Sequence, residues 1–139
     1  ALPEDVDEDY LTRVLSICQE KLRSLEGLGN FIRYFFFYFF EYDAKLLAKI
    51  SEDKGLLAAL QKLLSALKNL SEFDAASVEA CFQNSATEAG LKVSGLMQAT
   101  RLSVSGHGVG PGFYAMLEVL GKQRVISRMQ SFIERHAAI

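Results

Sequence analysis

Apolar residues recur with a helical period along most of this chain, and this repeat restricts the fold more than any other feature of the sequence. The strongest apolar stripe consists of Leu56, Leu60, Leu63, Leu64 and Leu67. No segment alternates apolar and polar residues for long enough to indicate a strand, and the nearest candidate, "RLSVS" at 101–105, has helical neighbours. We therefore predict an all-α protein, a helical bundle or cage of about six to eight helices in two packed halves, residues 1–72 and 73–139.

Residues that favour helix ends divide these stripes. Asp43 and Asp74 are suited to cap the helices that follow them, because an Asp side chain accepts a hydrogen bond from a free N–H of the first turn. Gly121 is suited to close a helix. Three more inner faces are predicted, and their members are Leu11, Val14, Leu15, Cys18, Leu22 and Leu25; Phe113, Met116, Leu117 and Leu120; and Val125, Met129, Phe132 and Ile133.

Glycines at 106, 108, 110 and 112 raise the question of a nucleotide-binding loop, which their spacing answers. The fingerprint G-x-G-x-x-G lacks its third glycine when it starts at 106 or 108, and a start at 110 leads into a helical pattern with no strand before it. A P-loop requires glycine where Met116 stands and Ser or Thr where Gln123 stands. The glycines instead indicate an interhelical loop, with Pro111 in the first turn of the next helix.

Composition excludes several classes of protein. Half of the 139 residues are hydrophobic, yet no apolar run approaches the roughly 20 residues of a membrane span. The acidic start "ALPEDVDEDY" does not resemble a secretory signal, so we expect a cytoplasmic location. Cys18 and Cys81 stand alone in helical patterns, as buried thiols do in a reducing compartment. His107 and His136 have no partners at ligand spacing, so no metal site is predicted.

The net charge of −2 conceals an uneven distribution. Residues 1–91 carry a balance of −6 and residues 92–139 a balance of +4. Such asymmetry is a hint of a nucleic-acid partner, although an ordinary solvated surface explains a modest basic excess as well.

Seven consecutive aromatic residues, "YFFFYFF" at 34–40, form the oddest part of the composition. A helix turns 100° per residue, so they cannot all face one core, and we predict exposed or interface-buried rings at 37–39. Contact with another domain is favoured over base stacking, because Arg33 is the only nearby cation while Glu41 and Asp43 repel phosphate.

The stretch "GLKVSGLMQATRLSVSGHGVGPGFYAMLEVLGKQRVISRM", residues 90–129, resembles the C-terminal anticodon-binding region of bacterial-type glutamyl-tRNA synthetases. A looser likeness, including "EYDAKLLAK" at 41–49, extends it to roughly residues 10–136. Ala99 and Thr100 depart from the family's usual pair before the arginine. The matching positions are Gly90, Leu91, Lys92, Gln98, Arg101, Gly106, Pro111, Gly112, Leu117, Leu120, Gly121, Lys122, Arg124, Val125 and Arg128.

The resemblance implies recognition of the tRNA(Glu) anticodon by the C-terminal module of a glutamate–tRNA ligase. The partners it implies are tRNA(Glu) and the missing catalytic domain, without DNA or membrane. The chain contains neither the HIGH-like nor the KMSKS-like signature of the catalytic domain, so it is expected to hold no catalytic residue and no cofactor. The parent enzyme is expected to use ATP and Mg. The alternative is a helical protein-interaction domain that uses its exposed aromatics; a small free-standing enzyme ranks last.

Site residues follow from the same matches. The family uses the arginine that corresponds to Arg101 at the anticodon, and a salt bridge to Glu88 or Glu118 is the alternative for this side chain. A glycine turn exposes backbone N–H groups, and an aromatic ring beside it can stack on a base. The predicted anticodon-binding residues are Arg101, Gly110, Pro111, Gly112 and Tyr114, and the predicted phosphate-attracting residues are Lys122, Arg124 and Arg128.

Overall fold

The computed structural model describes residues 6–18, 42–107 and 112–136. These residues form seven α-helices and no strand, which confirms the all-α prediction for this part of the chain. None of the described helices is long and apolar enough to cross a membrane. The helices are α1 (Glu8–Cys18), α2 (Ala44–Glu52), α3 (Lys54–Lys68), α4 (Ala75–Ala89), α5 (Val93–Ser105), α6 (Phe113–Leu120) and α7 (Lys122–His136).

Helix α3 lies at the centre and packs against α2, α4, α5 and α7. Its leucine stripe faces the core as predicted: Leu60, Leu63 and Leu67 are fully buried and Leu64 is buried. Leu56 is only half-buried, because it lies at the N-terminal end of α3 beside a surface groove. Burying such side chains contributes about 1.5–3 kcal/mol each.

Helices α6 and α7 complete the core with the apolar faces that the sequence predicts. The side chains of these two faces are all buried, and they are Phe113, Met116, Leu117, Leu120, Val125, Met129, Phe132 and Ile133. Residues from both sides of the predicted division between 1–72 and 73–139 contribute to one hydrophobic cluster. The division into two halves itself stays a prediction.

Both predicted aspartate caps are confirmed. Asp43 Oδ1 accepts a hydrogen bond of 3.0 Å from the backbone N–H of Leu46, at the start of α2. Asp74 Oδ1 accepts one of 2.7 Å from Ser77, at the start of α4. This hydrogen bond from Ser77 lowers the pKa of the Asp74 carboxyl, because it stabilises the charged form.

The buried face of helix α1 differs from the face that the sequence predicts. Tyr10 and Val14 are buried, but Leu15 is 40% exposed, although the sequence pattern placed it inward. The inner face of α1, which packs against α6, is centred on Tyr10 and Val14, so Leu15 points to one side of the contact. Leu22, Leu25 and the aromatic run at 34–40 lie outside the described residues.

Helix α4 ends at a glycine with left-handed backbone geometry. Gly90 has φ 67° and ψ 29°, and its N–H donates to the carbonyl of Thr87. The N–H of Leu91 donates to the carbonyl of Ala86 at 3.0 Å, which completes a Schellman motif. This turn directs the chain into α5.

We predict that Gly90→Ala lowers the free energy of unfolding by about 1–2 kcal/mol, because a Cβ strains a left-handed backbone. The space around Gly90 is open, so backbone strain is the only steric cost. Gly55→Ala is the matched control: its Cβ would meet Asp53 at an ordinary 3.6 Å inside a helix, so equal or higher stability is expected. Urea unfolding of both variants measures the difference, and equal losses would contradict it.

Candidate nucleic-acid interface

Arg101 is held over an aromatic ring at the surface of α5. Its guanidinium carbon lies 5.3 Å from the centroid of the Phe113 ring, within the range of a cation–π contact. Nη1 lies 4.0 Å from Met116 Sδ. The side chain is half-buried, and among the described residues neither Glu88 nor Glu118 forms an ion pair with it. The alternative of a salt bridge to either carboxylate is therefore not observed.

Phe113 belongs to an aromatic cluster. Its ring packs edge to face against Phe82 at 5.2 Å and against Tyr114 at 5.1 Å. Tyr114 is half-buried, and its buried hydroxyl has no hydrogen-bond partner in the described part of the chain. Burial, with a smaller contribution from Glu79, raises the pKa of the Tyr114 phenol. The Tyr114 ring thus already forms T-shaped contacts with two other rings, and its role in stacking on a base stays a prediction.

Gly112 stands at the start of α6, about one turn before the Met116 sulfur beneath Arg101. It is exposed, has φ −48°, and a Cβ built on it would meet nothing within 4 Å. Among the described residues, no side-chain hydrogen bond caps the N-terminus of α6 at Gly112. Gly110 and Pro111, the other two predicted loop residues, lie outside the described residues.

The C-terminal end of α5 is tied to the start of α2. Gly106 ends α5 with φ 80°, and its N–H donates to the carbonyl of Leu102 at 2.8 Å. The carbonyl of Gly106 in turn accepts a hydrogen bond of 2.8 Å from the N–H of Asp43. Ser105 Oγ donates to the carbonyl of Arg101 at 2.6 Å and accepts from the N–H of His107 at 3.2 Å. These hydrogen bonds restrain the backbone of the last turn of α5, which begins near Arg101.

Lys122 and Arg124 have structural contacts that the sequence did not reveal. Lys122 Nζ donates to the carbonyl of Leu70 at 2.7 Å, which joins the start of α7 to the segment after α3. The Arg124 guanidinium carbon lies 4.0 Å from the centroid of the Tyr10 ring, and Nη1 donates to the carbonyl of Leu120 at 3.2 Å. Both side chains remain half-exposed, so their attraction of phosphate stays a prediction.

Arg128 is buried, with 4% of its surface exposed. Its Nη1 donates to the carbonyl of Val104 at 2.8 Å, near the C-terminal end of α5. A cation is well placed at a helix C-terminus, where the last carbonyls carry partial negative charge. Arg128 is therefore the most buried of the three predicted phosphate-attracting residues, and its attraction of phosphate stays a prediction.

A groove of about 510 Å³ lies beside Arg101. Helices α2, α3 and α5, the turn between α4 and α5, and Phe113 contribute to its walls. Three cations and one carboxylate give it a net charge of +2. The lining residues are Lys49, Asp53, Leu56, Leu91, Lys92, Ser94, Gly95, Met97, Gln98, Arg101 and Phe113. Among the described residues, no three His, Cys, Asp or Glu side chains are grouped closely enough to hold a metal ion.

The groove adds Lys49 and its neighbours to the residues that the sequence singled out. Lys49 and Arg101 stand 52 positions apart in the chain and share one groove because α2 packs against α5. A local sequence pattern cannot predict that residues so far apart in the chain line the same groove. The resemblance marked Lys92 and Gln98 as family positions but gave them no role.

Residues 1–133 match the family model described as anticodon binding domain, and the chain belongs to this family. Its curated relatives include a glutamate–tRNA ligase of Chlorobium phaeobacteroides, 34% identical over 128 residues, and glutamate–tRNA ligase 1 of Caldanaerobacter subterraneus, 29% identical over 131 residues. These alignments cover 92% and 94% of this chain but 25% and 27% of the relatives, so the chain spans about a quarter of their length. The resemblance stated from residues 90–129 is confirmed.

Solved structures show the same fold. The crystal structure of a glutamate–tRNA ligase from Elizabethkingia meningosepticum superimposes with a TM-score of 0.82 and 24% identity, over 95% of this chain and 26% of that one. The glutamate–tRNA synthetase of Elizabethkingia anophelis gives a TM-score of 0.75 at 25% identity, over 94% and 25%. The helical arrangement is thus that of a segment within a much longer enzyme chain.

We predict that Arg128→Met lowers the free energy of unfolding by about 1.5–3 kcal/mol, because a charged donor to a buried carbonyl is lost. Arg135→Met, at an exposed position about two turns further along α7, is the control and should change stability little. Urea unfolding measures both variants. Unchanged stability of Arg128→Met together with weaker RNA binding would instead support a direct role at phosphate.

Proposed function

We propose that this chain recognises the anticodon of tRNA(Glu) as one module of a glutamate–tRNA ligase. The observation that carries the proposal is the placement of Arg101: its guanidinium lies over Phe113, the first residue of α6, and its side chain lines a basic groove. The family match supports the same assignment.

A guanidinium in this position is suited to read an unpaired base. Its planar fork donates paired hydrogen bonds to a base edge, and its face stacks on a base. Because Phe113 and Met116 already restrict Arg101, less conformational entropy is lost when RNA binds. The hydrogen bond from Ser105 to the carbonyl of Arg101 restrains the backbone beneath it.

The N-terminus of α6 supplies the second element of the proposed site. Uncapped N–H groups at a helix start attract a phosphate or accept the approach of a base carbonyl, and Gly112 leaves them uncovered. We assign Gly110 and Pro111 to this element from the sequence alone, and Tyr114 as a further ring beside it. Lys122 and Arg124 would add an attraction for RNA that does not depend on sequence.

Because the chain spans about a quarter of the length of the glutamate–tRNA ligases it matches, the remaining steps of the reaction would belong to other parts of the enzyme. We assign ATP and magnesium chemistry, and the attachment of glutamate, to parts of the enzyme outside these residues. The chain itself is proposed to supply binding energy and anticodon discrimination, with tRNA(Glu) as its specific RNA.

A binding assay with a labelled anticodon stem-loop hairpin tests the function directly. We expect a hairpin with the glutamate anticodon to bind more tightly than hairpins with other anticodons, and the affinity to fall as salt rises. Equal affinity for all hairpins would exclude anticodon recognition as the function of this chain. Absence of binding at low salt would favour the alternative, a helical protein-interaction domain.

We predict that Arg101→Ala weakens binding of the cognate hairpin by about 1–3 kcal/mol, the range for a bidentate contact or a stacked base. Arg101→Lys is the matched variant: it keeps the charge but loses the planar fork, so we expect it to lose anticodon discrimination and keep the salt dependence. Circular dichroism checks that both variants are folded. Wild-type affinity and discrimination in both variants would exclude Arg101 from the site.

We predict that Gly112→Val weakens hairpin binding about tenfold or more, a loss of at least about 1.4 kcal/mol, because a branched side chain covers the first N–H groups of α6. The space around Gly112 is open and its φ is negative, so the fold should tolerate the change. Gly112→Ala is the graded control, with a smaller loss. A variant that unfolds more easily but binds normally would show that Gly112 has only a structural role.

A further inference from the structure

The groove beside Arg101 is also lined by two lysines. Lys49 comes from the last turn of α2, and Lys92 immediately precedes α5. Both side chains are exposed and line the same groove. The carboxylate in the groove, Asp53, already accepts a hydrogen bond of 3.0 Å from the N–H of Leu56 as the cap of α3.

We propose that this groove is a second nucleotide subsite, which binds the unpaired nucleotide next to the one at Arg101. Its phosphate would lie between Lys49 and Lys92, and its base against the apolar wall of the groove. The inference rests on the proposed function, since it assumes that the ligand at Arg101 is single-stranded RNA.

The charge of the groove fits a phosphodiester. Lys49, Lys92 and Arg101 approach from three separate elements, α2, the turn after α4, and α5, and one carboxylate opposes them. An ammonium group binds a phosphate as a compact point charge, whereas the planar guanidinium of Arg101 can bind a phosphate or a base edge through paired hydrogen bonds. The net positive charge of the groove is therefore suited to a phosphodiester.

The apolar wall fits a base. Leu56 and Met97 are half-buried, and Leu91 is 38% exposed, one of two large hydrophobic side chains that are this exposed in the described part of the chain. Gly95 lies beside this wall, and a Cβ built on it would be in ordinary van der Waals contact with Leu56 Cδ1 at 3.8 Å. A flat base covering Leu91 would remove apolar surface from water, which is favourable at about 25 cal/mol per Å².

Gln98 gives this subsite a means of discrimination. It lies three residues before Arg101 on the same face of α5, and both side chains line the groove. Its amide both donates and accepts hydrogen bonds, whereas a lysine only donates them. Gln98 can therefore discriminate between bases by the donors and acceptors on their edges. The groove volume of about 510 Å³ falls within the range of small-ligand pockets and leaves room for a single nucleotide.

The phosphate part of the proposal is tested with the double variant Lys49→Gln/Lys92→Gln. Lys62→Gln/Lys68→Gln is the matched control, since both lysines are exposed on α3 and do not line the groove. Hairpin affinity is measured at several salt concentrations. We expect the groove variant to bind between about 5- and 30-fold more weakly, with a salt slope smaller by about 0.7, the value for one single-strand phosphate contact. The control should match the wild type in both.

The base part is tested with a thermodynamic cycle. Hairpins in which one loop nucleotide after another lacks its base are bound to the wild type and to Leu91→Ser. One abasic position should weaken wild-type binding and have no further effect in Leu91→Ser, because both changes remove the same contact. Additive losses at every position would overturn the placement of the base.

The remaining outcomes separate this inference from the function on which it rests. If the wild type discriminates anticodons through Arg101 but Lys49→Gln/Lys92→Gln binds like the control, the function stands and the subsite is overturned. Polyglutamate serves as a probe for an acidic protein segment. If the wild type binds polyglutamate and Lys49→Gln/Lys92→Gln loses this binding while it keeps its RNA affinity, the groove binds an acidic protein segment and the subsite is overturned. If the wild type binds no hairpin at all, function and subsite both fail.

Discussion

The burial of one face of α3 is the constraint on which the rest of the structure depends. Leu60, Leu63 and Leu67 are fully buried among four other helices. Truncating a buried leucine to alanine costs about 2–5 kcal/mol, a large fraction of the 5–15 kcal/mol by which a domain is stable. Because α3 fixes both α2 and α5, the same packing that stabilises the core also sets the width of the groove at its surface.

Several basic side chains in residues 92–139 bind backbone carbonyls of the protein itself, so the formal charge of this half overstates the charge that is accessible to a ligand. Arg128, Lys122 and Arg124 each donate a hydrogen bond to a backbone carbonyl, those of Val104, Leu70 and Leu120. Their N–H groups thereby satisfy carbonyls that a helix end or an irregular segment leaves without partners. The positive balance of this half is thus partly a means of closing the fold. Only the half-exposed side chains among them remain accessible to a phosphate.

Local features of the structure followed from the sequence, and non-local ones did not. The aspartate caps at 43 and 74 and the apolar face from Phe113 to Leu120 depend on residues at most a few positions apart, so their patterns are visible in the chain. Leu15 was misplaced because its exposure depends on how α1 meets α6. The family resemblance identified Arg101 but not its contact with Phe113, which depends on where the fold places the start of α6 relative to α5.

The hydrogen bond between Asp43 and Gly106 gives the two ends of the groove a mechanical connection. It joins the backbone at the start of α2, the helix that carries Lys49, to the turn that ends the helix of Arg101. A shift of a few tenths of an ångström at this turn would move α2 with it, since the bond is short and both partners are backbone atoms. If RNA binds at both Arg101 and Lys49, contacts made at the arginine would then alter the affinity at this lysine, and by reciprocity the reverse, so that the two binding energies would not simply add.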